Sequence, residues 1–123
     1  MKVIYLTLTG QTRKFVEKLQ MDVLELNPAD PFVKMTAPFI IITPTYDKEV
    51  TEVWDDFLET GNNSQLLKGV AGGGNLNFGP LFAFTAKDIA SDYNVPLLHQ
   101  FEFQGNDEDV EKLKKAVNTL GFD

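Results

Sequence analysis

A chain of 123 residues is long enough for one hydrophobic core and too short for two ordinary domains, so a single domain over residues 1–123 is expected. The absence of cysteine excludes disulfides, thiol redox chemistry and thiolate metal sites, and a lone histidine, His99, disfavours histidine metal cages and Ser-His-Asp triads. The net charge of −7 opposes nucleic-acid backbones and anionic membranes, and with no long apolar run and no basic leader near Met1 a cytoplasmic protein is expected, any redox chemistry coming from a bound cofactor.

Val3-Ile4-Tyr5-Leu6 is predicted as a buried strand, and Arg13 to Leu19 as the helix after it, with Phe15, Val16 and Leu19 inward. Val23 to Leu26 forms a short second strand. Only Asn27 to Ala37 then separate it from the next, and Pro28 and Pro31 disfavour a crossover helix there, leaving a loop or single turn. Phe39-Ile40-Ile41-Ile42 is the strongest strand signal, a continuous apolar run suited to burial on both faces of a parallel sheet. Val50, Val53, Trp54, Phe57 and Leu58 recur at helical spacing and define an amphipathic helix ended by Gly61-Asn62-Asn63. Leu66 to Ala71 is the fourth strand, shortened by Gly69. A helix starting near Pro80 turns Phe82, Ala86, Ile89, Ala90 and Tyr93 inward. Pro96 introduces the last strand, Leu97 to Phe103. The final helix, about Asp107 to Leu120, is capped by Asp107-Glu108-Asp109 and stopped by Gly121.

Strands alternating with helices imply a three-layer α/β sandwich around a parallel sheet with right-handed crossovers. Five strands fit the order 2-1-3-4-5, with a shortened crossover between strands 2 and 3. In that order the ligand crevice lies at the carboxyl ends of strands 1 and 3, so ligand residues should follow strands.

Strand 1 is followed by Thr7-Leu8-Thr9-Gly10-Gln11-Thr12, hydroxyl, glycine and amide groups opening a helix. A helix N-terminus stabilises an anion through unpaired N–H groups without any lysine, although threonines before a helix are also ordinary caps. Strand 3 is followed by Thr43-Pro44-Thr45-Tyr46-Asp47, which offers a shaped turn and an aromatic plate beside a flat ligand, or a plain surface turn. After strand 4 come Gly72-Gly73-Gly74-Asn75-Leu76-Asn77-Phe78-Gly79, four glycines in eight residues with two amides suited to a heterocycle edge; the alternative is a tight turn. A donor-rich loop for phosphate beside two loops for a ring system describes a flavin mononucleotide (FMN) site. A receiver domain of the same topology needs acidic residues after strand 1 and an aspartate ending strand 3, where Thr7 and Thr43 stand. His99, within the last strand, is read as a packed or edge histidine.

On these motifs the chain resembles the NrdI family, the small flavodoxin-like proteins that accompany class Ib ribonucleotide reductase. Leu6 to Phe15 is similar to the family's phosphate loop and helix start, Thr43-Pro44-Thr45-Tyr46 to its first flavin loop, and Gly74-Asn75-Leu76-Asn77-Phe78-Gly79 to its Gly-Asn-x-Asn-Phe-Gly loop. Val95-Pro96, Phe101-Glu102-Phe103-Gln104-Gly105 and Asp109-Val110 resemble its closing segment. The resemblance implies non-covalent FMN, its phosphate on Thr7, Leu8, Thr9, Gly10, Gln11 and Thr12. The ring would lie between Thr43, Pro44, Thr45, Tyr46 and Asp47 on one side and Gly73, Gly74, Asn75, Asn77, Phe78 and Gly79 on the other. It further implies an unidentified flavin reductant, and superoxide passed to the dimanganese–tyrosyl radical site of the reductase small subunit, with no catalytic side chain and no metal of the chain's own. Family members often have asparagine where Gln11 stands, and many have a glycine-rich turn at Asp47-Lys48-Glu49. Asp47 resists positive φ more than glycine, and Asp47 and Glu49 repel a negatively charged flavin, so one-electron-reduced flavin should be less stabilised here than in an ordinary flavodoxin. A general single-electron carrier and a flavin-free binding module are the alternative functions.

Overall fold

The computed structural model describes residues 1–7, 10–45, 48–74 and 83–120, with 48–50 described by their backbone. Five parallel strands, β1 (Lys2–Tyr5), β2 (Asp22–Glu25), β3 (Phe39–Thr43), β4 (Leu67–Gly74) and β5 (Leu97–Glu102), form one sheet in the order β2-β1-β3-β4-β5. Alternation along the strands divides the core into two layers. Ile4, Phe39, Ile41 and Val70 face one side, packing with Trp54, Phe57 and Leu58 of α2 (Lys48–Leu58) and Ala86 and Ile89 of α4 (Phe84–Asp92). Val3, Tyr5, Ile40, Ile42 and Ala71 face the other, against Phe15, Val16 and Leu19 of α1 (Gln11–Leu19) and Val110, Leu113 and Val117 of α5 (Asp107–Thr119). Both faces of β3 are covered, which is why its apolar run is continuous rather than alternating.

The β2–β3 connection holds no helix, as the two prolines imply. It is a strap that covers the edge of the first layer with Leu26 and Met35. What holds it is Asn63, the first residue of a single turn α3 (Asn63–Leu66) and fully buried. Its Oδ1 accepts the Met35 N–H at 2.7 Å, and its Nδ2 donates to the carbonyls of Val33 and Phe57, each at 2.7 Å. Asn63 was expected merely to end α2; a buried amide that satisfies three backbone groups is a clamp.

Two further expectations are corrected. Gly69 does not shorten β4. The strand runs through it with a register slip, Phe39 pairing with Leu67 and Ile40 with Gly69, and a Cβ there would stand 2.7 Å from Leu98. The helix after β4 does not run on from Pro80, since Ala83 is left-handed at φ 54° and a right-handed helix cannot pass through it; α4 begins at Phe84. Pro80 and Phe82 themselves, and Gly121, lie outside the described residues, as does the Val50 side chain. The acidic opening of α5 caps it as expected: Asn106 Oδ1 accepts the Asp109 N–H and Asp109 Oδ2 accepts the Asn106 N–H, each at 2.9 Å. Asp109 Oδ1 also meets His99 Nε2 at 2.8 Å, so the lone histidine ties β5 to α5. Among the described residues no helix is long and apolar enough to cross a membrane.

Candidate functional site

The carboxyl ends of β1, β3 and β4 lie side by side, because β3 pairs with β1 on one flank and β4 on the other. The strand order reverses between β1 and β3, the place where sheets of this topology form their ligand crevice. At the end of β1 the Gly10 N–H donates to Thr7 Oγ1 at 3.0 Å. Gly10 is left-handed, φ 87°, and among the described residues, its chain neighbours aside, no atom lies within 4 Å of where its Cβ would be. It starts α1, whose first helical bond is Lys14 N–H to Gly10 O at 3.1 Å. Among the described residues no side chain caps this helix, and no acidic residue stands in its first turn. A helix start with the Thr7 hydroxyl beside it and open space at a glycine fits a phosphate group. Gln11 is exposed and Thr12 is buried.

Beside this loop Glu25 at the end of β2 gathers three donors on one oxygen: Arg13 Nη2 at 2.8 Å, Arg13 Nε at 2.9 Å and the Tyr5 hydroxyl at 3.0 Å. Burial, then the Glu25 carboxylate, push the Tyr5 hydroxyl above its ordinary range, which keeps it a donor. The guanidinium is thereby committed to β2.

At the end of β3 the predicted residues separate by role. Thr43 is fully buried, and its hydroxyl accepts from Trp54 Nε1 at 2.7 Å and donates to Pro44 O at 3.0 Å. Pro44 and Thr45 are half-buried, and the Thr45 hydroxyl donates to Gly73 O at 2.6 Å, joining the end of β3 to β4.

Gly72, Gly73 and Gly74 were assigned to a loop, and the structure places all three within β4. The reason is packing. A Cβ on Gly72 would stand 2.4 Å from Ala86 Cβ, and one on Gly73 would stand 2.7 Å from the Phe101 ring, so these positions let α4 and Phe101 sit directly on the strand. Gly74 O accepts the Phe103 N–H at 3.1 Å. The remaining predicted site residues, Leu8, Thr9, Tyr46, Asp47, Asn75, Asn77, Phe78 and Gly79, lie outside the described residues.

The sequence reading missed three features of this edge. The Trp54–Thr43 bond could be anticipated only in kind, since a buried indole N–H needs a partner. Thr85, in the first turn of α4, is fully buried, and among the described residues its hydroxyl has no hydrogen-bond partner. Phe103 was expected to end β5 as strand, yet it is left-handed at φ 52° with 47% of its surface exposed. A left-handed backbone costs a residue with a Cβ about 1–2 kcal/mol. Phe103→Gly is therefore expected to be more stable than Phe103→Ala by about 1 kcal/mol, the reverse of their order in regular structure. Urea denaturation of the two variants checks this; equal stabilities would mean that residue 103 does not keep its left-handed backbone.

A parallel 2-1-3-4-5 sheet with a glycine-led helix at its switch point defines a flavodoxin-like α/β protein. Solved structures agree on the fold. A flavodoxin of Streptococcus pneumoniae TIGR4 superposes with TM-score 0.62 at 19% identity, covering 98% of this chain and 96% of that one. A short-chain flavodoxin associated with a non-canonical PDU bacterial microcompartment gives 0.63 at 22%, covering 98% and 95%. Two-electron reduced Megasphaera elsdenii flavodoxin gives 0.55 at 16%, covering 96% and 98%. Residues 3–115 match the family model described as NrdI flavodoxin like, and the chain belongs to that family of flavodoxin-like flavoproteins.

Proposed function

We propose that this protein binds FMN and serves a class Ib ribonucleotide reductase, supplying a flavin-derived oxidant, superoxide, for the dimanganese–tyrosyl radical site of the small subunit. The family match over residues 3–115 carries the reading, and the glycine-led start of α1 supports the phosphate end of the ligand. The phosphate is assigned to Thr7, Leu8, Thr9, Gly10, Gln11 and Thr12. The ring is assigned to the space between Thr43, Pro44, Thr45, Tyr46 and Asp47 and the segment Gly73, Gly74, Asn75, Asn77, Phe78 and Gly79.

When bound, the flavin supplies the electron transfer to oxygen, refilled by a cellular flavin reductant. The chain supplies position. The N–H groups at the start of α1, together with the Thr7 and Thr12 hydroxyls, anchor the phosphate as charge-assisted bonds. The Thr45–Gly73 bond holds the two ring loops at a set spacing.

Riboflavin, which lacks the phosphate, is expected to bind at least about 100-fold more weakly than FMN, since two charge-assisted hydrogen bonds contribute about 3 kcal/mol or more. Fluorescence titration with each ligand measures the ratio; comparable affinities would remove the phosphate site. The functional test is manganese-dependent radical formation in the small subunit with and without this protein in its reduced form. Radical yield that depends on the protein supports the role. An FMN-loaded protein that leaves the yield unchanged would instead be a general single-electron carrier, and a chain that refuses FMN would be a flavin-free module.

A further inference from the structure

We propose that the buried indole of Trp54 is a positioning residue for the loop that flanks the flavin, an inference that rests on the FMN reading above. Trp54 is fully buried in α2, and its ring packs edge-on to Phe57 with centroids 5.9 Å apart. Packing alone asks for an aromatic ring; it does not ask for an N–H. The indole N–H nevertheless lies 2.7 Å from the hydroxyl of Thr43, the last residue of β3. Indole can only donate and a carbonyl can only accept, so the chain has a single polarity: Trp54 N–H to Thr43 Oγ1, Thr43 O–H to Pro44 O. Bonds linked in this way polarise one another and act as a unit.

One residue further on, the Thr45 hydroxyl binds Gly73 O at 2.6 Å, and between the two threonines the proline ring fixes φ. The segment leaving β3 is thus tied to α2 on one side and to β4 on the other before the chain reaches residue 46. α2 begins directly after that loop, so Trp54 clamps the start of the very connection that leads into its own helix, a side-chain closure spanning 11 positions. The position from which the rest of the loop starts is therefore set by an indole buried in the core.

The test compares Trp54→Phe, which keeps an aromatic ring and deletes the donor, and Thr43→Val, which keeps the shape and deletes the hydroxyl, with Phe57→Leu as a control in the same core. FMN dissociation constants for the oxidised and reduced forms, and the midpoint potential, are measured on the folded holoproteins. Trp54→Phe and Thr43→Val should each weaken oxidised FMN about tenfold, the worth of one buried hydrogen bond. The double variant should bind no worse than the weaker single one, because the chain acts as a unit. Where the two redox forms are affected unequally by tenfold, the one-electron potential moves by about 59 mV. Phe57→Leu should lower the melting temperature and leave the dissociation constant within about twofold. Wild-type affinity and potential in Trp54→Phe, or an equal loss of affinity in Phe57→Leu, would overturn the proposal while FMN binding by the wild type stands. A wild type that takes up no FMN overturns the flavin reading itself, and this inference with it.

Discussion

Replacing Asn63 by leucine is expected to destabilise the fold by about 3–5 kcal/mol. The side chains are close in size, so the loss comes from polarity rather than volume. The part-buried Met35 N–H and Val33 carbonyl both lose their partner, and a stranded group costs about 1–3 kcal/mol to the extent that it is shielded from water. The Phe57 carbonyl suffers less, because the Thr60 N–H also reaches it at 3.2 Å. Asn63→Asp should be no better, since a carboxylate cannot donate to the two carbonyls. Urea denaturation monitored by Trp54 fluorescence measures the effect. A loss under about 1 kcal/mol would show that the strap is held by its apolar contacts instead. The consequence reaches the site: the strap follows β2, and β2 carries the Glu25 that receives Arg13 and Tyr5.

Gly105→Ala is expected to cost about 2–4 kcal/mol and to weaken FMN binding with it. Gly105 has φ +67°, where a Cβ adds about 1–2 kcal/mol of backbone strain. The same Cβ would stand 2.5 Å from Phe15 Cδ1 and 2.9 Å from Cε1. That ring has no room to swing, being fully buried and stacked on Phe101 with centroids 4.0 Å apart and planes at 20°. Overpacking of such a contact costs about 1–3 kcal/mol more. Phe15 belongs to α1, so relief of the clash displaces the helix whose N-terminus is assigned to the phosphate. Thermal unfolding and an FMN titration on the same sample check both halves. A variant with wild-type stability would mean that the β5–α5 turn yields, and that Gly105 is not what seats Phe15.

The contrast between elements shows why some of this was legible in the chain and some was not. Phe39 to Ile42 announced a central strand because burial on both faces demands an unbroken apolar run. The spacing of Val53, Trp54, Phe57 and Leu58 announced a helix with one inner face, and α2 has that face in the core. Glycines were ambiguous. Gly72-Gly73-Gly74 reads as loop, because the sequence of a tight turn and that of a strand crowded by Ala86 and Phe101 look alike until the neighbours are in place. Phe103 misled for a related reason: an aromatic residue has strand propensity, and its left-handed turn is imposed by the path into α5.

Sequence alone therefore determined the order of the strands and of the four longer helices, the missing crossover helix and the parallel topology, though not the turn Asn63–Leu66. These follow from periodicities of two and 3.6 and from turn chemistry, which act between residues a few positions apart. Tertiary structure alone decided that Asn63 clamps a strap some 28 residues upstream, that Glu25 claims Arg13, that Gly73 makes way for Phe101, and that Trp54 reaches Thr43. Each rests on a few polar bonds or close contacts between distant segments. Such contacts leave no repeating pattern in the chain, because geometry selects one partner at one place.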